Sequence, residues 1–250
     1  MTMEFSMAAH GAVRLLTIER VARRNALGDA LVSALAGTLA AHDADDSVAA
    51  TVIAGAAPGF CAGSDLKELG TMTLDEMCAH EARTATFCRG IAALRKPVLA
   101  AVEGFALGGG FVFAISCDVV VTGRSARWNL PEVEIGWIPP WGLETLLARV
   151  GLARARQLVW GGRPFDGTEA ERLGVADQAV DDGTAVEQAI ARASSLARLP
   201  REAVASTKLY FATQAARDGE GGDLLASRLF RDDCRHPAAQ ATLKKFGVRI

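Results

Sequence analysis

Lys96-Pro97-Val98-Leu99-Ala100-Ala101-Val102-Glu103-Gly104-Phe105-Ala106-Leu107-Gly108-Gly109-Gly110 is the most telling stretch of this chain. Pro97 to Val102 is a short apolar run, the pattern of a strand covered on both faces, and the glycines that follow end it in a turn. A comparable run lies upstream at Thr51-Val52-Ile53-Ala54, ended by Gly55, and a third lies downstream at Asp118-Val119-Val120-Val121-Thr122. Ahead of them Ala12-Val13-Arg14-Leu15-Leu16-Thr17-Ile18 reads as the first strand, followed by a loop from Glu19 to Asn25. Leu27, Leu31, Leu35 and Leu39 recur every four residues and draw one apolar stripe along a helix. Thr73-x-x-Glu76 is a capping box that predicts a helix of about twenty residues ending near Lys96. Asp166-x-x-Glu169 and Thr184-x-x-Glu187 are two more such boxes, and Pro200 suits the first turn of a further helix. Strands alternate with helices up to about residue 135 and the pattern beyond 140 is nearly all helical, which predicts an α/β fold: a mostly parallel sheet with an appended helical part. There is no Pro/Ser-rich linker and no exact repeat, although a strand, glycine turn and helix unit recurs loosely at 51, 98 and 119. Arg217-Asp218-Gly219-Glu220-Gly221-Gly222 reads as a mobile surface loop.

The chain has 250 residues, 50% hydrophobic and 22% charged, enough to bury a sizeable core, which argues against a disordered or fibrous protein. Its formal net charge of −2 provides no global field to recruit nucleic acid or an anionic membrane, so a polyanionic ligand would be held by a few local groups. Uncharged stretches such as Gly104 to Cys117 are shorter than the roughly 20 apolar residues a spanning helix needs. The N-terminus, Met1-Thr2-Met3-Glu4-Phe5, lacks the basic start and apolar core of a secretory signal. The cysteines, at 61, 78, 88, 117 and 234, form no CxxC, and an odd number without a signal reads as reduced thiols in a cytoplasmic protein. Histidines show no ligand spacing with them, so no metal is expected.

Chemistry is carried by two glycine-rich turns and one acidic segment. The turns are Pro58-Gly59-Phe60-Cys61-Ala62-Gly63-Ser64-Asp65-Leu66-Lys67-Glu68-Leu69 and Gly104 to Gly110, each following a main strand. Glycine lets a backbone approach a ligand closely, and a helix starting there points free N–H groups at negative charge. Two such turns at the ends of neighbouring strands could aim two amides at one oxygen, the arrangement of an oxyanion hole. For either turn alone, a tight strand-to-helix connection is the simpler account. Neither GxGxxG nor GxxxxGK[ST] is present, Ser64 lacks the GxSxG elbow, and Cys61 reads as a packing residue. The acidic segment, Ala126 to Gly142, holds Glu132 and Glu134 among Trp128, Trp137 and Trp141. A carboxylate desolvated by such neighbours acquires a raised pKa and can carry protons near neutrality, whereas two exposed acids on a surface turn would not.

Together these segments resemble the crotonase superfamily, the enoyl-CoA hydratases and isomerases, over roughly residues 12 to 180. The resemblance rests on Arg24-Asn25-Ala26-Leu27, Phe60 to Lys67, Lys96 to Gly110, Cys117-Asp118, and Pro131-Glu132 followed by Ile135-Gly136. It implies a spiral core of ββα units over residues 1–195 and a helical region, 196–250, that builds a homotrimer, often paired into a hexamer. It implies further that the amides of Ser64 and Gly109 bind the thioester oxygen of an acyl-CoA. Arg24, Ala26, Ala62, Asp65 and Leu66 would lie along its nucleotide and pantetheine, with Gly108, Pro131 and Trp137 lining the site. Coenzyme A would be carried as part of the substrate, with no separate cofactor. Lys67, Arg23, Lys208 and Lys244 are candidate phosphate partners.

The resemblance breaks at one important point. Hydratases of the family generally use two glutamates; Glu132 matches the second, but the first falls on Val112. Moving a double bond needs one base that takes a proton and returns it elsewhere, whereas hydration is easiest with two carboxylates. Isomerisation or one-glutamate hydration, with Glu132 as proton shuttle, is therefore the expected reaction. Glu134 could supply the missing acid if the segment turned it the same way. Pro140 stands near where certain relatives carry an aspartate, which argues against dienoyl isomerase or dehalogenase chemistry. Trp137 and Trp141 would suit a flat acyl group or the core. The alternatives are a non-catalytic CoA- or partner-binding protein of the same fold, and thioester hydrolysis or retro-aldol cleavage in the same pocket.

Overall fold

The apolar runs become strands, and the periodic segments between them helices, in the computed structural model, which describes residues 4–161, 163–215 and 219–248. In chain order the strands are β1 (Phe5–His10), β2 (Val13–Ile18), β3 (Ala50–Gly55), β4 (Val98–Val102), β5 (Phe105–Leu107), β6 (Val119–Gly123), β7 (Arg127–Asn129) and β8 (Gln178–Val180). The helices are α1 (Asp29–Ala44), α2 (Leu66–Leu69), α3 (Leu74–Ala93), α4 (Gly109–Ile115), α5 (Leu143–Val150), α6 (Leu152–Gly161), α7 (Gly167–Leu173), α8 (Ala185–Leu196), α9 (Arg201–Ala215), α10 (Gly219–Asp233) and α11 (Pro237–Phe246). One sheet runs in the order β1-β2-β3-β4-β6-β8. β1 is antiparallel to β2 and every later pairing is parallel. β5 and β7 pair separately, also in parallel.

Successive strand residues face opposite sides of a sheet. On β4, Val98, Ala100 and Val102 enter one core with Leu31, Leu35 and Phe113, while Leu99 and Ala101 enter a second core on the other face. There Ala185, Ala189 and Ala193 put small side chains at every fourth position of α8, so the helix lies close against the strands. Both faces are covered, which is why these runs show no polar alternation.

Several local expectations need correction. The sequence pattern starts the sheet at 12–18 and misses β1, where only Phe5 is buried and the exposed remainder carries no apolar period. β5, β7 and β8 are three residues long, too short to produce a pattern. α3 carries the full Thr73/Glu76 capping box and runs the expected 20 residues, ending at Ala93, three residues before Lys96. Asp166 caps α7 by accepting from Glu169 N. The Thr184 side chain does not cap α8: its hydroxyl donates to Asp181 O, and the first amide of the helix, Ala185 N–H, donates to the Glu103 carboxylate just after β4. Of the expected mobile loop, Arg217 and Asp218 lie outside the described residues, while Gly219 to Gly222 form the first turn of α10. Tertiary contacts override the glycines there: Asp223 accepts from Arg89 and from Gly142 N, tying the turn to α3 and to the start of α5.

The part of the fold that builds the site is the set of loops at the carboxyl ends of β3 and β4. Asn25, fully buried at φ +55°, ties the loop after β2 to the one after β3: its amide donates to Ala56 O and Gly59 O at 2.7 Å, and its oxygen accepts from Arg20 N. Stripping buried polar groups of a shared partner costs about 1–3 kcal/mol each. Asn25→Ala should therefore lower the unfolding free energy by about 2–4 kcal/mol in urea titrations, and a loss below about 1 kcal/mol would show that the hub does not hold these loops.

Candidate active site

Two parallel bridges place the glycine turns, one tying Ser64 to Leu27 and the other joining the two turns at Cys61 and Ala106. Leu27 N donates to Gly63 O and Asp65 N to Leu27 O, so Ser64 is bridged through its neighbours and its own N–H faces away from Leu27. Cys61 N donates to Phe105 O and Leu107 N to Cys61 O, which sets the Cys61 segment beside β5. The result is close backbone packing: a Cβ on Gly63, at φ +94°, would stand 3.1 Å from Gly109 N, and one on Gly109 would stand 3.6 Å from Ser64 N. Gly109 opens α4, so its N–H is among the first-turn amides with no intrahelical acceptor. Ser64 N–H and Gly109 N–H therefore flank one small region.

Glu132 lies beside that region. A Cβ on Gly108, at φ +54°, would meet Glu132 Oε1 at 2.9 Å, so only glycine leaves the carboxyl room. Glu132 is 7% exposed, and its Oε2 has no hydrogen-bond partner. Burial pushes its carboxyl up to about 7, the charge of Glu81 adding to the rise and its own amide opposing it.

The cavity these groups share measures about 120 Å³. Ala62, Leu66, Gly108 and Pro131 line it, with Trp137 and Trp141 as its aromatic walls. Trp137 also packs edge-on against Phe230 of α10, its ring centroid at 5.9 Å. Leu243, Phe246 and Val248, in and just after α11, close the far side, so residues from the 196–250 region complete a cavity begun by the 1–195 region. Glu134 is exposed and does not line the cavity, so the structure leaves the idea that it supplies a second acid without support. Val112 does line it, 2% exposed.

The remaining candidates spread toward the surface. Arg24 is exposed, at φ +52°, with its guanidinium 4.6 Å from the centre of the Phe105 ring. Ala26 is buried and its carbonyl accepts from Arg20. The Asp65 carboxylate turns inward, accepting from Lys67 N and Glu68 N as the cap of α2 and from Arg20 at 2.9 Å. Arg23 lies 3.6 Å from that same carboxylate. Lys208 is engaged elsewhere, donating to Asp118 and Lys96 O. Lys67 and Lys244 are exposed. Cys61 is buried, and burial pushes its thiol up to about 12, consistent with packing rather than nucleophilic use.

One residue of the cavity wall escapes sequence reasoning: Glu81. It sits on the buried stripe of α3 with Met77, Ala85 and Cys88, and an acid on an apolar stripe is the signal that could have found it. A cavity of about 860 Å³ between α9, α3 and α5 contains neither glycine turn nor Glu132. Asp29, Glu68 and His80 have potential ligand atoms within 4.8 Å of one another, but Arg83 already donates to both oxygens of Asp29, leaving little charge for a cation. Among the described residues no helix is long and apolar enough to cross a membrane.

Comparison with known proteins gives the family. The sequence profile of the family described as enoyl-CoA hydratase/isomerase matches residues 8–247. A Rhizobium meliloti protein named "Probable enoyl-CoA hydratase" is 39% identical over 188 residues, covering 75% of this chain and 72% of its own length. The 2,3-dehydroadipyl-CoA hydratase of Escherichia coli is 36% identical over 196 residues, 78% of this chain and 76% of its own. The crystal structure of an enoyl-CoA hydratase/isomerase from Mycobacterium paratuberculosis superposes with a TM-score of 0.87 at 28% identity, covering 98% of this chain and 99% of that one. The chain belongs to the enoyl-CoA hydratase/isomerase family of the crotonase superfamily.

The buried acid has a cost that can be measured. With its carboxyl at about 7 in the folded chain against 4.5 unfolded, Glu132 keeps its proton after the unfolded chain has released its own. Stability therefore falls as pH rises from about 4.5 to 7 and levels off above that. Glu132→Gln should match the parent at pH 4.5 and exceed it by about 1–3 kcal/mol at pH 8 in denaturant titrations; equal stability at both pH values would mean that the carboxyl is not desolvated.

Proposed function

We propose that this chain is an enzyme acting on an enoyl-CoA thioester, in which the Ser64 and Gly109 amides hold the thioester oxygen while Glu132 moves a proton. The observation that carries this is a buried carboxyl with one unpartnered oxygen in the cavity that adjoins both amides, where burial raises its pKa. A thioester α-proton is too weakly acidic for a carboxylate unless the enolate oxygen is stabilised, and one such donor is worth ~2.7–4 kcal/mol of barrier. In isomerisation Glu132 takes a proton from C2 of a 3-enoyl thioester, the two N–H groups bear the dienolate charge, and the proton returns at C4 to leave the 2,3 double bond. In hydration the oxygen of water adds at C3 and the proton goes to C2. A carboxyl near its midpoint at neutral pH can both give and accept. Coenzyme A enters as part of the substrate, and the route drawn needs no further cofactor.

Isomerisation or one-glutamate hydration fits a cavity with Val112 at the first glutamate position. An acyl-binding protein without turnover is disfavoured by Glu132 itself: an unpartnered buried carboxyl oxygen destabilises the fold and contributes nothing to holding a thioester. Arg24 and the surface around Leu66 are the route for the pantetheine and nucleotide. The helices of 196–250 expose Leu209, Tyr210, Phe211, Leu224, Leu225 and Leu229, an apolar surface suited to a homotrimer or hexamer.

Crotonyl-CoA and a 3-enoyl-CoA, followed by the absorbance of the conjugated thioester, test the reading. The parent should consume or create that chromophore, and Glu132→Gln should lower kcat by roughly 10²–10⁴ while its Kd for a non-reactive acyl-CoA thioether stays within about threefold. Retained turnover in Glu132→Gln would reject Glu132 as the proton carrier, and a parent that changes neither thioester would reject the enzyme.

A further inference from the structure

In this chain position 112 brings no second acid to the cavity, because it is a valine. Val112 Cγ1 lies 2.0 Å from where a Cβ on Gly142 would stand, so the side chain at 112 packs under the Trp141-Gly142 turn. The Trp141 ring lies over the other end of the same turn of α4, its Cζ2 3.1 Å from the place of a Gly109 Cβ. A carboxylate enters the cavity wall from α3 instead. Glu81 is 5% exposed and accepts two hydrogen bonds, at Oε1 from the Ser64 hydroxyl and at Oε2 from Trp141 Nε1, both at 2.7 Å. One side chain thus ties the residue whose amide faces the thioester oxygen to the ring that covers the residue of the other amide.

We propose that Glu81 is the positioning carboxylate of this site, clamping Ser64 and Trp141 so that the two amides and the aromatic wall stay in register, with its charge facing Glu132 across the cavity. This rests on the roles proposed above for the amides and Glu132. A carboxylate with both oxygens engaged by donors is held charged in a fixed place, a role unlike that of a mobile second base. Its negative charge opposes ionisation of Glu132 and supports the raised value there. Among the described residues no other titratable group lines the cavity: α2 presents Leu66 and Leu69, α3 presents Met77 beside Glu81, α4 presents Val112, α10 presents Phe230, and α11 presents Leu243 and Phe246.

Two variants separate clamp from charge. Glu81→Gln can retain both hydrogen bonds, its oxygen accepting from Trp141 and its NH₂ donating to the Ser64 oxygen, while the charge is lost. The limb of its kcat/KM–pH profile near 7 should move to lower pH by about one unit. Trp141→Phe keeps the charge and breaks one arm of the clamp. It should lower kcat about tenfold, with KM within about threefold and the limb in place. The proposal is overturned if the limb of Glu81→Gln stays within about 0.2 unit of the parent's, or if Trp141→Phe keeps kcat within about twofold. Glu132→Gln run alongside distinguishes the cases: an active Glu132→Gln removes the underlying mechanism, whereas an inactive one beside a parent-like Glu81→Gln removes only the role of Glu81. Should Glu81→Gln fail to fold, Trp141→Phe still decides on the clamp.

Discussion

Everything about this site depends on two peptide backbones approaching within side-chain distance of each other. The turns after β3 and β4 can do so because Gly63, Gly108 and Gly109 bring no Cβ into the gap, and because parallel bridges at Leu27/Ser64 and Cys61/Ala106 hold the strands leading into them. A parallel sheet collects its strand ends on one edge, and the crevice outside those ends is where such sheets bind ligands. The two cores above and below β4 fix that edge in place. Bulk at Gly108 would push the Glu132 carboxyl away, so the glycine pattern serves electrostatics as well as chain reversal.

The second constraint is the handling of buried charge. Glu132 and Glu81 share one cavity wall system and are treated in opposite ways. Glu81 receives a donor at each oxygen, from the Ser64 hydroxyl and from Trp141 Nε1. Glu132 keeps one oxygen without a partner in an apolar setting, and burial raises its carboxyl to about 7. Two acids in similar burial thus meet different surroundings, and surroundings rather than residue type set how readily a carboxyl gives up its proton. The C-terminal helices take part in this, since Phe230, Leu243 and Phe246 supply much of the apolar surface that keeps water from the pair.

Much of the α/β pattern was legible because continuous apolar runs and four-residue leucine spacing leave plain marks. The short strands β5, β7 and β8 and the exposed edge β1 left none, for want of length or burial. The α8 cap was misread because the Thr184 hydroxyl turns back to donate to Asp181 O, while Glu103, far away in sequence, takes the first amide of the helix. The glycines of 219–222 were misread for the same kind of reason: Asp223 anchors a helix that local propensity argues against.

Of the site, the sequence by itself determined the two glycine turns, Glu132 within its tryptophan-rich segment and the valine at 112, since each is a local chemical choice at a position the family pattern indexes. Only the tertiary structure decided that Glu134 faces outward, that the Asp65 carboxylate turns inward to Arg20 and α2, that α11 closes the cavity and that Glu81 reaches Ser64 and Trp141. Those outcomes depend on distances between segments tens of residues apart. A one-dimensional pattern records which groups are available, and packing alone selects which of them meet.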